Sequence, residues 1–327
     1  ILALTSYPEY DPNVITSGEN KEEIRRLFND PGTPFLDRVT SGLYTPGSIV
    51  KPIVAIGVLN ENLISPQKSI LSTGALTLPN PYDPSSPSIF RDWKAHGWVD
   101  MRRALAVSSD VYFYVVGGGF EDQKGLGISK VDQYFKMFGL DELTGIDLPG
   151  EKKGVIATPE WKQKNFNDDW RLGDTYITSI GQYGTQITAL EAVRFIGAIA
   201  NEGKLLIPSV IVGGKGEGKN TLRTINFKNE HWRIIKEGMY QATGEGGTAA
   251  GLRVPYVSVA AKTGTAELGV SKELVNSWST GFFPYENPRY AFAVFMEKGS
   301  RYNTVGATGV VRQVLDWMNL NTPEYFK

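Results

Sequence analysis

The chain has 327 residues, of which 41% are hydrophobic and 21% are charged, and this balance excludes a disordered chain. Its length predicts one large domain or two coupled ones. The formal net charge is -1, from 34 basic and 35 acidic residues, so the sequence has no basic excess that would favour nucleic-acid binding. Cysteine is absent, which excludes disulfides, thiolate zinc sites and cysteine proteases.

In chain order, the sequence predicts a strand, then a helix-rich middle, then a strand-rich end. The opening apolar run, residues 1–6, is typical of a strand. Helices are predicted over residues 21–28, 49–59, 99–116, 188–200 and 306–318, and β-type runs occupy residues 205–212, 256–261, 277–283 and 290–295. We therefore expect an α+β protein whose sheet is assembled from both chain ends, with a helical insertion between them. No apolar run approaches the roughly 20 residues that span a bilayer.

The pattern Ser-x-x-Lys occurs twice, at Ser48–Lys51 and at Ser65–Lys68. Only the first begins a long apolar run, which we interpret as an amphipathic helix with both side chains on one face. There a desolvated lysine amine could act as the base for the serine hydroxyl, near the positive end of the helix. In the alternative, Ser48 only caps the helix and Lys51 is solvated, and the motif alone favours this by about two to one.

A second serine motif, Ser108-Ser109-Asp110, lies inside the helical region 99–116, at an expected break in it. A hydroxyl and a carboxylate in this spacing could orient a lysine and relay a proton. The alternative is an ordinary polar helix face.

A third motif, Lys262-Thr263-Gly264-Thr265, follows the β-run 256–261. Glycine in a strand allows a ligand backbone to approach closely, and the lysine and hydroxyls could hold a carboxylate. The alternative is a bulge in an edge strand. The sequence has only two histidines, His96 and His231, and no G-x-S-x-G, so an activated serine here would use a base other than histidine.

Together and in this order, the motifs resemble the S-x-x-K, S-x-N (or S-x-D) and K-T-G of the serine penicillin-recognising enzymes. Further stretches resemble the transpeptidase domain of class B penicillin-binding proteins of the PBP2, elongation type: residues 1–8, 10–13, 44–48, 91–94, 96–97, 99–100, 144–151, 173–182, 199–204, 247–249 and 278–284. Asp110 replaces the commoner asparagine of the second motif, a variant that resembles elongation-type enzymes.

The resemblance implies the penicillin-binding protein/serine β-lactamase-like transpeptidase fold, an antiparallel sheet flanked by helices plus a helical subdomain. One transpeptidase domain would occupy residues 1–327, with an α/β part from about 1–45 and 204–327 and a helical part from about 46–203. We expect the N-terminal membrane anchor and pedestal domain of such proteins to lie outside this chain, and no glycosyltransferase domain.

The resemblance also implies a peptidoglycan D,D-transpeptidase that works through a serine acyl-enzyme and is inhibited by β-lactams. Its catalytic residues would be Ser48, Lys51, Ser108, Asp110 and Lys262, and its substrate-binding residues Thr263, Gly264 and Thr265, without a metal or cofactor. Its partners would be stem peptides ending in D-Ala-D-Ala and, through the missing N-terminal region, a membrane glycosyltransferase and elongation proteins. It would act in the periplasm. Two alternatives stay open: transfer to water, as in a carboxypeptidase or β-lactamase, and a non-catalytic β-lactam sensor or scaffold.

Two further patterns indicate sites only weakly. Residues 213–220 read G-G-K-G-E-G-K-N, which lacks the hydroxyl residue of a phosphate-binding loop at Asn220, so a glycine-rich hairpin turn is expected. His96 lies near Asp92 and Asp100 in the sequence, but without a complete ligand set a structural histidine is the preferred interpretation.

Overall fold

The computed structural model describes residues 1–80, 83, 85–211, 220–269, 273–303 and 305–326. Its helices are α1 (Pro12–Ser17), α2 (Lys21–Asn29), α3 (Lys51–Asn60), α4 (Met101–Val107), α5 (Asp110–Gly118), α6 (Ile128–Met137), α7 (Pro159–Phe166), α8 (Leu172–Ser179), α9 (Ala189–Ala200), α10 (Asn229–Gln241) and α11 (Gly306–Asn321). Its strands are β1 (Ile70–Ser72), β2 (Ala75–Leu78), β3 (Ser88–Arg91), β4 (Gly97–Val99), β5 (Lys204–Leu206), β6 (Thr221–Thr224), β7 (Ala260–Leu268), β8 (Leu274–Phe283) and β9 (Tyr290–Ser300). Short 3₁₀ turns lie at Gly47–Val50, Ala250–Leu252 and Pro323–Phe326.

The longest strands form an antiparallel sheet in the order β7-β8-β9. Successive side chains of a strand point to opposite faces, so each face needs its own cover. On one face, Trp278 and Phe282 belong to the same buried cluster as Phe195 of α9. On the other face, Phe283 packs in a second cluster with residues of α11. The shorter strands pair as the antiparallel ribbons β1-β4, β2-β3 and β5-β6.

Helix α3 is buried on every side, because it contacts α5, α6 and α10. All its residues from Lys51 to Leu59 are buried. The predicted amphipathic character is therefore wrong, since neighbouring helices cover the face that an amphipathic helix would expose to solvent. Pro52 lies in the first turn of the helix, where its missing N–H costs no hydrogen bond.

The expected α+β class is confirmed, with helices on an antiparallel sheet, and so is the break in the helical region 99–116, which falls between α4 and α5. The predicted N-terminal strand is wrong. Residues 1–6 form no strand, and Ile1 and Leu2 remain 48% and 70% exposed because no neighbouring strand pairs with them. The sheet is therefore built from the C-terminal strands.

The Lys-Thr-Gly-Thr motif lies inside strand β7, which extends beyond the predicted β-run 256–261. Strand β7 begins four residues later than expected, at Ala260, and pairing with β8 carries it from there to Leu268. The glycine-rich segment 213–220 lies outside the described residues except for Asn220. Within the described part of the chain, no helix is long and apolar enough to cross a membrane.

The Gly47–Val50 turn packs directly on the outer edge of β7. A Cβ atom at Gly264 would lie 2.7 Å from the carbonyl oxygen of Pro46 and 2.9 Å from Cγ2 of Ile49, both closer than real Cβ contacts. Gly47 has a φ of +56°, and a Cβ there would lie 2.8 Å from the carbonyl oxygen of Thr265. Glycine at both positions therefore lets the turn and the strand touch.

We expect Gly264→Ala to lower the free energy of unfolding by about 1–3 kcal/mol, because the added methyl group overpacks this contact. The matched control is Gly299→Ala in β9, where the nearest atom to an added Cβ is 3.8 Å away. The control should change the free energy of unfolding by less than about 0.5 kcal/mol. Urea denaturation measures both, and equal losses in the two variants would contradict the packing argument.

Candidate active site

Ser48 lies in the 3₁₀ turn that precedes α3, half-buried between β7 and the segment after α8. Gly47 N donates to Gly181 O at 2.8 Å. On the opposite side, the indole N–H of Trp278 donates to Thr45 O at 3.0 Å. The turn is therefore held by two hydrogen bonds, and Ser48 has a fixed position just before the start of α3.

Lys51 is completely buried at the start of α3, which rules out the solvated lysine of the alternative interpretation. Its Nζ donates to Ser108 O at 2.8 Å, lies 3.3 Å from Ser108 Oγ, and forms an ion pair with Asp110 Oδ1 at 2.5 Å. The aromatic ring of Phe113 lies 5.3 Å away. In the described part of the chain, Ser48 Oγ has no hydrogen-bond partner, and the bonds of Lys51 Nζ go to Ser108 and Asp110.

The second Ser-x-x-Lys pattern makes no comparable site. Ser65 and Lys68 are exposed. The amine of Lys68 donates to Gln123 Oε1, on the loop before α6. Burial thus separates two sites that share one sequence pattern.

Ser108 occupies the sharp turn between α4 and α5 with a φ of +57°. This left-handed conformation is uncommon for a residue other than glycine. It places Ser108 Oγ 2.8 Å from Lys262 Nζ and 3.3 Å from Lys51 Nζ. The serine hydroxyl therefore bridges the lysines of the first and third motifs.

Lys262 is also completely buried, at the inner side of β7. Besides Ser108 Oγ, its amine bonds to Thr263 O at 2.9 Å. Burial lowers the pKa of Lys262 well below its ordinary value, and the positive charge of Lys51 lowers it further, whereas Asp110 opposes the change. Burial raises the pKa of the Asp110 carboxyl, an effect that Lys51 opposes.

The other residues of the third motif lie along the edge of β7 that faces the Ser48 turn. Thr265 is exposed, and Thr263 Oγ1 bonds to Thr248 Oγ1 at 2.7 Å. Gly264 contacts the turn itself, so its small size serves the packing of the protein. The expected catalytic and substrate-binding residues thus meet in one place.

Three neighbours of the site were not predicted as site residues. Thr248 fixes the Thr263 hydroxyl, Gln182 Nε2 donates to Thr265 O at 2.9 Å, and the indole N–H of Trp93 donates to Ser108 O at 3.3 Å. Each lies in a stretch that resembles the penicillin-binding family. That resemblance was the available signal, since no local pattern marks these residues.

His96 lies close to one of its two neighbouring aspartates in the sequence. Its Nε2 lies 3.5 Å from Asp92 Oδ1, while Asp100 instead caps α4 by accepting from Arg103 N at 2.8 Å. Burial lowers the pKa of His96. The described residues contain no group of three or more His, Cys, Asp or Glu side chains arranged to hold a metal ion.

Known proteins share the sequence pattern and the fold of this chain. A profile described as "Penicillin binding protein transpeptidase domain" matches residues 1–316. The peptidoglycan D,D-transpeptidase MrdA of Escherichia coli K12 is 33% identical over 345 aligned residues, covering 98% of this chain and 52% of the relative. MrdA of Haemophilus influenzae is also 33% identical and is covered to 52%. The chain thus spans about half the length of the curated relatives it matches.

Solved structures give the same result. PBP2 of Pseudomonas aeruginosa, in complex with WCK 5153, superposes with a TM-score of 0.86 at 31% identity, covering 98% of this chain and 69% of that one. PBP2 of Helicobacter pylori, in complex with MreC, has a TM-score of 0.82 at 31% identity, with coverages of 97% and 57%. The chain therefore belongs to the penicillin-binding protein transpeptidase domain family and is of the PBP2 type.

Proposed function

We propose that this chain is a peptidoglycan D,D-transpeptidase that cross-links stem peptides through an acyl-enzyme on Ser48. The observation that carries the proposal is the Ser108 hydroxyl, which bridges two buried lysine amines beside the Ser48 turn. A buried site with two amines and one carboxylate favours a neutral amine at neutral pH. A neutral amine can accept the proton of a serine.

In the resting site, Lys51 is paired with Asp110 and the pKa of Lys262 is lowered. A proton can pass from Lys51 to the Ser108 oxygen while the Ser108 proton passes to Lys262. Lys51 is then neutral and can accept the proton of Ser48. This route needs small movements only, since the two nitrogen–oxygen distances are 3.3 and 2.8 Å.

Acylation then proceeds on a stem peptide that ends in D-Ala-D-Ala. Ser48 Oγ bonds to the carbonyl carbon of the penultimate D-Ala and its proton passes to Lys51. The bond to the terminal D-Ala breaks, and its nitrogen receives a proton from Ser108, which Lys262 replaces. An amine from a neighbouring strand then attacks the ester, and Ser48 recovers its proton as the cross-link forms.

The edge of β7 supplies binding groups for this reaction. The carbonyl of Thr265 faces Gly47 and Gln182, away from β8. Within an antiparallel strand, the N–H and C=O of one residue point to the same side, so the Thr265 N–H also faces the turn. Together with the N–H of Ser48, it would stabilise the oxyanion. Lys262, Thr263 and Thr265 would hold the terminal carboxylate of the substrate.

The wider setting is part of the same proposal. The α/β part, about residues 1–45 and 204–327, and the helical part, about 46–203, would form one transpeptidase domain. It would act in the periplasm, held there by a membrane anchor outside this chain. Elongation proteins and a membrane glycosyltransferase would be its partners. The PBP2–MreC complex of Helicobacter pylori supports this setting.

We expect incubation with benzylpenicillin to add one antibiotic molecule per chain, seen by intact-mass spectrometry, with the label on the tryptic peptide that contains Ser48. Ser48→Ala should abolish the adduct. Ser65→Ala is the matched control from the second Ser-x-x-Lys pattern and should be labelled like the wild type. An adduct that survives Ser48→Ala, or a wild type without one, would refute Ser48 as the nucleophile.

The fate of the acyl-enzyme separates the alternatives. A D-Ala-D-Ala donor with an amine acceptor should give an amide product with Ser48 intact. Rapid release of hydrolysed antibiotic, with water as the only acceptor, would instead identify a carboxypeptidase or β-lactamase. A stable adduct without turnover of the peptide donor would identify a sensor.

The acylation rate should fall as the pH is lowered through the depressed pKa of Lys262, because a protonated Lys262 can no longer take the Ser108 proton and so cannot free Lys51 of its own. Asp110 raises the pKa of Lys262 and thus opposes the depression. Asp110→Asn should therefore move the acidic limb of the pH profile to lower pH.

The control for this shift is Asp132→Asn, which removes the same charge from an exposed pair with Lys136 on α6. It should leave the acidic limb in place. Second-order acylation rates with a chromogenic cephalosporin over a pH series measure both variants. A limb that stays fixed in Asp110→Asn, or moves to higher pH, would contradict the proton distribution described above.

A further inference from the structure

The turn that carries Ser108 is strained and needs support. A non-glycine residue in the left-handed region is unfavourable and persists only where its surroundings hold it. The end of α4 supplies part of this support, since Ser109 N donates to Ala104 O at 3.0 Å. Residues 91–93 supply further support, and we name them the brace. Arg91 is the last residue of β3, and Asp92 and Trp93 follow it.

Asp92 is the centre of the brace, and its side chain is completely buried. Its Oδ2 accepts hydrogen bonds from Ser109 Oγ at 2.9 Å, Val111 N at 3.0 Å and Ser72 Oγ at 3.1 Å. Its Oδ1 accepts from Trp93 N at 2.9 Å. A buried carboxylate is retained only with such compensation, so each of these donors is fixed relative to the others.

The direction of these bonds is specific to the second motif. Two of the three donors to Oδ2, Ser109 and Val111, flank Asp110 on either side. The carboxylate also lies at the N-terminus of the nine-residue helix α5, where its charge is favourable. Asp92 thus fixes the first turn of the helix that presents Asp110 to Lys51.

The two other residues of the brace bond to the same region. The indole N–H of Trp93 donates to Ser108 O, the same oxygen that Lys51 Nζ contacts. The hydroxyl of Tyr114 on α5 donates to Arg91 O at 3.0 Å. The brace therefore holds the turn at Ser108 and Ser109, and the body of α5.

We propose that Asp92 is a positioning residue for acylation, which acts through Ser109 and Val111 to hold Ser108 Oγ between Lys51 and Lys262. Asp92 has no contact with Ser48 or with either lysine amine. The inference rests on the proposed function, because the rate it predicts is that of acylation at Ser48. A displacement of about 1 Å at the Ser108 hydroxyl is enough to lower a rate by about 100-fold.

The test separates the acylation rate constant from the dissociation constant of the noncovalent complex, by stopped-flow kinetics with a fluorescent penicillin. Asp92→Asn should lower the rate constant about 10- to 100-fold and change the dissociation constant by less than about threefold. This split is expected because the residues proposed to hold the substrate carboxylate lie on β7, whereas the donors to Asp92 described above lie on β1, on the brace itself and at the start of α5.

The matched pair Ser109→Ala and Ser72→Ala gives the sharpest comparison. Each variant removes one hydroxyl donor to the same Asp92 oxygen, but only Ser109 belongs to the second motif. Ser109→Ala should lower the rate constant at least about tenfold, and Ser72→Ala less than about threefold. This pair also decides the question if Asp92→Asn does not fold.

Glu191→Gln controls for a loss of stability alone. Glu191 is a buried carboxylate with several backbone donors, among them Thr188 N and Gly154 N, and it caps α9. It should lower the melting temperature while the rate constant of the folded enzyme stays unchanged. The proposal is overturned if Asp92→Asn, when folded, is acylated at the wild-type rate, or if Ser72→Ala and Ser109→Ala have equal effects. A wild type that is not acylated at all would instead refute the proposed function.

Discussion

The structure depends on placing two buried lysine amines around one serine hydroxyl. Lys51 and Lys262 are both completely buried, and both reach Ser108 Oγ. Two ammonium ions in such a place would repel each other and would lack solvation, so the pKa of Lys262 is lowered. The Asp110 carboxylate balances the remaining positive charge. The same burial that makes the site costly to fold lowers the pKa of Lys262.

The fold supplies this arrangement by bringing three rigid elements into contact. Helix α3 carries Lys51 and is enclosed by other helices, the break between α4 and α5 carries Ser108, and strand β7 carries Lys262. Gly47 and Gly264 allow the turn that carries Ser48 to touch β7 without an intervening side chain. Each element is fixed by interactions of its own, so the distances at the site are set before a substrate arrives.

The sequence was sufficient to predict the fold class, and the residues of its three motifs, predicted as site residues, lie together in the structure. It was not sufficient for the environment of each motif. The apolar run after Ser48 gave an amphipathic helix, whereas α5, α6 and α10 bury it on all sides. Local spacing cannot reveal which faces distant segments will cover. For the same reason the opening apolar run predicts a strand, whereas residues 1–6 have no pairing partner and form none.

The residues that support the site were the least predictable. Asp92, Thr248 and Gln182 each act across more than ten residues of sequence, on Ser109, Thr263 and Thr265 respectively. No helical or strand period relates such pairs, so the local sequence pattern does not reveal these contacts and the folded chain does. The left-handed conformation of Ser108 was equally hidden, since glycine is the residue that usually marks it.

In the proposed mechanism, Lys262 is neutral while Lys51 stays paired with Asp110. Nuclear magnetic resonance of lysine side chains labelled at the ε-carbon and amine nitrogen, with Lys262→Arg for assignment, measures this in the free enzyme. We expect Lys262 to lose its proton well below the ordinary pKa of a lysine, because its amine is buried and lies near Lys51. A Lys262 signal that titrates together with those of the exposed lysines would contradict it.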